Sequence, residues 1–435
     1  MSPSTTAKTK LETAKPEDGA TEAPDDKGEL SELRMDSGMT AWLQVVGSWI
    51  LFMNTWGLTN SYGVFQTYYI DTLLPSYSPS AIAWIGSIQL FLTMIVGIFA
   101  GWLLDAGHLR IILLSGTFLE VFGLMMTSLS TKYWHVLLSQ AICTGLGSGL
   151  LGLTSVAVIP LYFKERRMIA TGIAATGSSL AGIIYPILLQ HLFRSIGFGW
   201  AVRVLAFLML GCLLVCCAVM RLRPRPTIER NLSLRVFADI QYTTFVAAFA
   251  LMILSVYVPF FFIEDFALAL GQSSATSFYL LCIMNAASLF GRLVPNWLAD
   301  KFGGITIMMP ACFSSAVLLY VMRYVHDLPG LIVMSVFYGF VSGGMVSLPP
   351  AIIANLTTDP SAYGVRMGVG YTVAAFGGLV GNPIAGACRR FSSDDDGSAQ
   401  AEFQYPWIFA GSTMMLCTLL LAFVRMHQLK KRRRQ

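Results

Sequence analysis

The chain has 435 residues, of which 55% are hydrophobic and 12% charged, and its formal net charge is +5; an ordinary soluble domain carries roughly 25% charged residues. With a mean hydropathy of +0.63 the apolar residues outnumber what one core can hide. Most must face lipid, which excludes a soluble enzyme or nucleic-acid binder, and the basic surplus, confined to a few short stretches, reports orientation in a membrane.

Residues 1–39 hold nine acidic and five basic side chains among Ser, Thr, Ala and Pro. They lack the apolar segment of a signal peptide and read as a disordered cytoplasmic tail. Beyond them, runs long enough to cross lipid as helices (about 20 apolar residues each) fall at about 41–69, 81–104, 111–130, 134–160, 168–191 and 200–220. A basic stretch, 221–240, follows with Arg221, Arg223, Arg225, Arg230 and Arg235. Six further runs lie at about 241–263, 276–298, 303–322, 329–353, 364–388 and 405–425. We number these predicted helices 1 to 12. The expected organisation is an N-terminal half (40–220), a cytoplasmic linker (221–240), a C-terminal half (241–425) and a basic cytoplasmic tail (426–435).

Placing the N-terminus in the cytoplasm puts 22 Lys and Arg on inside segments and five on outside loops, with Arg203 and Arg292 inside helices. That bias sets both termini cytoplasmic, which requires an even number of helices. The two halves also repeat. Helix 2 ends in Gly101-Trp-Leu-Leu-Asp105 and helix 8 in Asn296-Trp-Leu-Ala-Asp300, the aspartates 195 residues apart. Helix 5 opens at Arg167-Met168 and reaches Gly182; helix 11 opens at Arg366-Met367 and reaches Gly381, both 199 residues on. The expected fold is an all-α membrane protein of twelve transmembrane helices in two six-helix halves.

These residues carry a family resemblance. Gly101 to Asp105 followed by Arg110 resembles the first cytoplasmic loop of the major facilitator superfamily. The run from Tyr162 through Arg167-Met168, Gly172, Gly177 and Gly182 resembles the helix 5 motif of its monocarboxylate porter family. Asp36-Ser37-Gly38 before Trp42 resembles that family's helix 1 entry, and Asn54 through Gln66 to Tyr69 is similar to its fungal branch. The resemblance covers about residues 36–428. Two charges of the proton-coupled members are missing: residues 54–69 contain no lysine, and Ser288 stands four before Arg292 where those members have an aspartate. Lactate-type transport is therefore put in doubt.

Individual residues then define candidates. Arg292, read as about four residues above the cytoplasmic end of helix 8, costs about 2.5–3.5 kcal/mol at the bilayer centre on insertion scales. It is expected either to bind an anion in a polar cavity or to snorkel to the interface. Glu120, midway along helix 3 with no basic residue three or four away, is either a proton carrier or a neutral, hydrogen-bonded carboxyl. Asn54, Asn60, Tyr62, Gln66, Tyr257 and Asn285 form the pool for substrate contacts. For gating, Asp105 is expected to approach the start of helix 11 near Arg366, with Arg110 in the adjoining loop, and Asp300 the start of helix 5 near Arg166 and Arg167. Helix N-termini carry partial positive charge, so both contacts would hold the cytoplasmic side closed. Trp134, Trp200 and Trp407, at helix starts, read as interfacial anchors.

No Walker A sequence, metal-ligand spacing or clustered catalytic set is present, so no catalytic residue, metal or cofactor is expected. The eight cysteines lie in or beside apolar runs and read as free thiols. The reading is a secondary carrier that rocks two halves around a midplane site. It would act as a monomer in the plasma membrane, moving a small organic metabolite that bears a carboxylate or comes from secondary metabolism. Proton coupling and export are open options; uptake of a monocarboxylate or riboflavin-like nutrient, and a non-transporting sensor, are the alternatives.

Overall fold

The computed structural model describes residues 38–222, 239–357, 363–390 and 399–434, without the side chains of Asp105, Tyr363, Arg389, Arg390 and a few others at helix ends. The expected N-tail and most of the basic linker lie outside the described residues. All regular structure among the described residues is helical, because a chain in lipid must satisfy its backbone polar groups within each spanning segment.

We label the spanning helices in chain order. In the N-terminal half, α1 comprises Met39–Asn60 and Tyr62–Tyr68, closed by a π turn at Tyr69–Leu73, and α2 comprises Pro79–Ile95 and Gly97–Asp105. Next come α3 (Leu109–Thr127), α4 (Tyr133–Val136, a π segment Leu137–Thr144, then Gly145–Ala157), α5 (Arg167–Ser195) and α6 (Gly197–Val219). In the C-terminal half, α7 comprises Ile240–Val256 and Val258–Ala269, followed by α8 (Ser274–Phe302) and α9 (Gly304–Met322). The last three are α10 (Leu328–Ser347 and Pro349–Leu356), α11 (Tyr363–Arg390) and α12 (Ala399–Arg434). Ten of the twelve are long and apolar enough to cross a membrane by length and composition alone. The other two, α1 and α11, are the more polar ones. Gln44, Asn54, Thr55 and Thr59 of α1 are buried inside the bundle, and α11 carries seven glycines. Helix α12 continues past the expected end at 425 as far as Arg434.

The helices that face outward are α3, α6, α9 and α12. Phe118, Phe207, Phe313 and Leu419 stand half or more exposed on them, a surface only lipid can cover. Trp134 and Trp200 are exposed, but Trp407 is fully buried, stacked near Phe403 and edge-on to Phe266 of α7. The interfacial reading of Trp407 is thus corrected: α12 begins several residues before it, and its ring is drawn into the apolar contact with α7.

Within the halves, α1 packs on α4 and α5, and α7 on α11 and α12. The most extensive contacts between the halves among the described residues are α5 with α8 and α2 with α11, and the internal repeat exchanges one for the other. Both crossings are built on glycine, because only a missing side chain lets helix backbones approach so closely. At Gly101 of α2, an added Cβ would sit 3.1 Å from the Gly364 carbonyl oxygen of α11. The repeat extends to the helix breaks: α1 is interrupted at Ser61 and α7 at Tyr257, 196 residues apart. At the face where α1 begins and α12 ends, hereafter the terminal face, α8 turns into α9 at Gly303. Its φ of +90° is open to glycine and costly for other residues.

Candidate functional site

The polar chemistry gathers along the α5–α8 crossing. Arg292 of α8 is 4% exposed and lies ten residues from the end of its helix at Phe302. Its Nη1 donates to the Ala175 carbonyl of α5 at 2.9 Å and its Nε to Ser288 Oγ at 3.4 Å. Ser288 Oγ in turn accepts from Ser179 Oγ of α5 at 3.3 Å. The guanidinium points into the crossing between the halves, and α8 continues for nearly three further turns beyond it. Snorkelling to the interface is therefore not what this side chain does. Tyr257, at the break in α7, is buried and within electrostatic range of Arg292.

One turn further, Asn296 Nδ2 donates to the Arg292 carbonyl at 2.7 Å and to Ser347 Oγ of α10 at 2.6 Å. At the terminal face Asp300 closes the crossing. Its Oδ1 and Oδ2 accept the backbone N–H groups of Met168 and Ile169, each at 2.9 Å. These are orphan donors of the first turn of α5, where a carboxylate also meets the positive end of the helix dipole. Arg167 adds Nη1 to Asn355 Oδ1 of α10 at 3.2 Å. Arg166 is exposed and precedes the first residue of α5.

The α2–α11 crossing differs. Arg366 of α11 turns into its own half: Nη1 meets Asp239 Oδ2 at 3.3 Å and the Leu356 carbonyl at 2.9 Å, and the guanidinium lies 4.8 Å from the Tyr242 ring centre. Tyr242 Oη donates back to the Arg366 carbonyl at 2.6 Å. The side chain of Asp105, the partner expected for it, lies outside the described residues. Arg110, expected in the loop, is the second residue of α3 and is exposed, because α3 begins at Leu109.

The remaining candidates divide. Asn54 of α1 is fully buried; its Nδ2 donates to the Ile50 carbonyl and its Oδ1 accepts from Tyr185 Oη of α5 at 3.2 Å. Glu120 of α3 is fully buried and its Oε1 accepts from Ser148 Oγ of α4 at 2.6 Å. Tyr62 Oη donates to the Ile82 carbonyl at 2.7 Å, with its ring 6.1 Å from that of Phe261 in α7. Asn285 lies against Gly182 of α5, so it packs in the α5–α8 crossing instead of lining open space. Asn60 and Gln66 are half-buried, nearer the opposite face. Between the halves, Trp56 of α1 faces Tyr371 of α11 at 6.5 Å, and Tyr371 meets Phe249 of α7 edge-on at 5.3 Å. Sequence reasoning passed over Trp56, Tyr185, Ser179 and Asp239. Only Tyr185, a polar aromatic inside an apolar run, carried a local signal.

Twelve helices in two repeated halves, with a buried guanidinium and a capped helix start between them, define a membrane carrier. The Major Facilitator Superfamily profile matches residues 38–319 and 242–435, and the chain belongs to that superfamily of transporters. Among curated relatives, "MFS-type transporter dbaD" of Emericella nidulans is 40% identical over 388 residues, 89% of this chain and 86% of that protein. "Aspyridones efflux protein apdF" of the same organism is 37% identical over 83% of this chain and 74% of its own length. "Agnestins efflux protein AgnL12" of Paecilomyces divaricatus is 36% identical over 80% of each. The crystal structure of the transporter FucP in the outward conformation superposes with a TM-score of 0.65 at 15% identity, covering 88% of this chain and 98% of that one, a likeness of fold.

Proposed function

We propose that this carrier exports a small, acid-bearing organic metabolite by alternating access. The observation that carries the acid-bearing part is Arg292, a buried cation held at the crossing of the two halves. A guanidinium kept in the membrane interior earns its place where an anion visits, and alternating access brings that crossing to each face in turn. Export is supported by relatives that are themselves named efflux proteins. The helix 5 motif from Tyr162 to Gly182 supports the monocarboxylate porter branch, whose members handle carboxylates. The excess of basic residues on the terminal side supports cytoplasmic termini, and we place the carrier in the plasma membrane as a monomer.

The direct test compares metabolites in medium and cell contents between cells with and without the protein. Export predicts that one acidic compound builds up inside the deficient cells and falls in their medium. The same profiles in both, or a compound left behind in the medium of deficient cells, would overturn export.

A further inference from the structure

Among the described residues only two acidic or basic side chains are fully buried, Arg292 in one half and Glu120 in the other. Glu120 takes no part in the Arg292 site or in the terminal-face contacts. Its Oε1 accepts from Ser148, and its Oε2 is buried without a hydrogen-bond partner. The packing around it leaves little room for water: a Cβ at Gly147 of α4 would sit 2.5 Å from the Glu120 nitrogen.

The titratable groups that face this position come from three helices and none is a cation. Tyr185 of α5 lies within electrostatic range of both Glu120 and Cys212 of α6. Cys143 of α4 donates its thiol to the Leu119 carbonyl at 3.3 Å, and Cys217 of α6 lies 4.0 Å from Thr117 Oγ1. An ionised carboxylate here would be an unpaired charge at membrane depth, which proteins avoid unless function requires it. The neutral acid suits the packing, with its O–H on the bare Oε2. Tyr185 Oη donates to Asn54 Oδ1 of α1, the helix that meets the other half at Trp56.

We propose that Glu120 is the proton-binding site that couples this carrier to a proton gradient. In the packed state its carboxyl holds a proton; when the contacts of α3 with α4 and α6 loosen during the transport cycle, water reaches Oε2 and takes it. The step is simple acid–base exchange: hydronium gives a proton to the carboxylate and leaves water, and the O–H bond later breaks to another water. Coupling rests on the transport reading above, whereas proton binding and its effect on conformation are measurable without any substrate.

The full chain is reconstituted in lipid vesicles with spin labels at Ser76 and Gln272, in the loops after α1 and α7, and native cysteines replaced. The ratio of the short-distance to the long-distance population of the label pair should change at least about threefold between acidic and alkaline buffer. In Glu120→Gln it should stay at the acid value at both, and Glu120→Asp should restore the response. A Gln variant that responds like the parent, or a parent indifferent to pH, would overturn the proposal. A second measurement needs no variant. Dicyclohexylcarbodiimide, which adds to protonated carboxyls in apolar surroundings, should modify Glu120 in acidic buffer and far less in alkaline buffer, read by peptide mass. Absence of that adduct overturns the assignment. Loss of export in cells with this pH response intact would fault the export reading instead.

Discussion

The two carboxylate oxygens of Asp300 take the backbone N–H groups of Met168 and Ile169, so the end of α8 caps the start of α5 across the line between the halves. Hydrogen bonds to a charged group contribute about 1.5–3 kcal/mol each and the helix end about 0.3–1 kcal/mol more. Asp300→Asn keeps one acceptor and removes the charge. We predict a loss of about 1–2 kcal/mol from the state closed at the terminal face, a factor of about 5–30 in its population. Distances between spin labels across that face measure it; an unchanged distribution would show that the cap carries no conformational weight.

Arg292 cannot be exchanged for lysine without loss. Its Nη1 reaches Ala175 of the other half while Nε holds Ser288, two directions that a planar fork serves at once and an ammonium does not. Arg292→Lys should lower export by at least about tenfold, equivalent to about 1.4 kcal/mol, while Arg292→Gln should abolish it with the folded yield retained. Full flux through the lysine variant, measured as initial rates in vesicles, would remove the anion role.

A pair of glycine substitutions separates close packing from helix propensity. At Gly147 a methyl group would press on the Glu120 backbone at 2.5 Å, whereas at Gly211 of α6 nothing lies within 4 Å. Gly147→Ala should cost about 1–3 kcal/mol by overpacking. Gly211→Ala should be neutral or gain up to about 1 kcal/mol. Thermal unfolding in detergent ranks them, and the opposite order would mean that α3 and α4 are not this close.

Arg366 is tied within its own half, so its loss should act on stability more than on gating. Arg366→Gln removes the Asp239 contact, the Leu356 carbonyl bond and the stacking on Tyr242. With Asp239 partly exposed, the ion pair itself is worth about 0.2–1 kcal/mol. A double-mutant cycle with Asp239→Asn should return a coupling in that range; zero coupling would show that the pair is incidental.

The twelve helices were legible because lipid imposes a length and an apolarity that a sequence cannot hide. The repeat was legible because Asp105 and Asp300, Arg167 and Arg366 recur at nearly one spacing. Partners across the fold were less so. Arg366 is expected near the end of α2, where the Asp105 side chain lies outside the described residues, and the partner the sequence does not point to is Asp239, at the edge of the linker. Asn285 and Asn54 read alike as polar residues in apolar runs, but one packs against Gly182 and the other meets Tyr185. Which face of a helix a polar residue occupies depends on crossing angles, and those are set by glycines whose partners are distant in the chain. Trp407 misled for a related reason: a tryptophan near a predicted helix start suggests an interface, but α12 starts earlier than its hydropathy suggests.

The matched interruptions of α1 at Ser61 and α7 at Tyr257 give this carrier elbows as well as a pivot. Each helix consists of two stiff rods joined at one residue, and the joints are related by the repeat. The rods nearer the opposite face can swing against one another while those nearer the terminal face stay clamped. In the proposed transport cycle, cargo held beside Arg292 would be shut off from the opposite side before the clamp at Asp300 lets go, so that no continuous leak opens through the membrane.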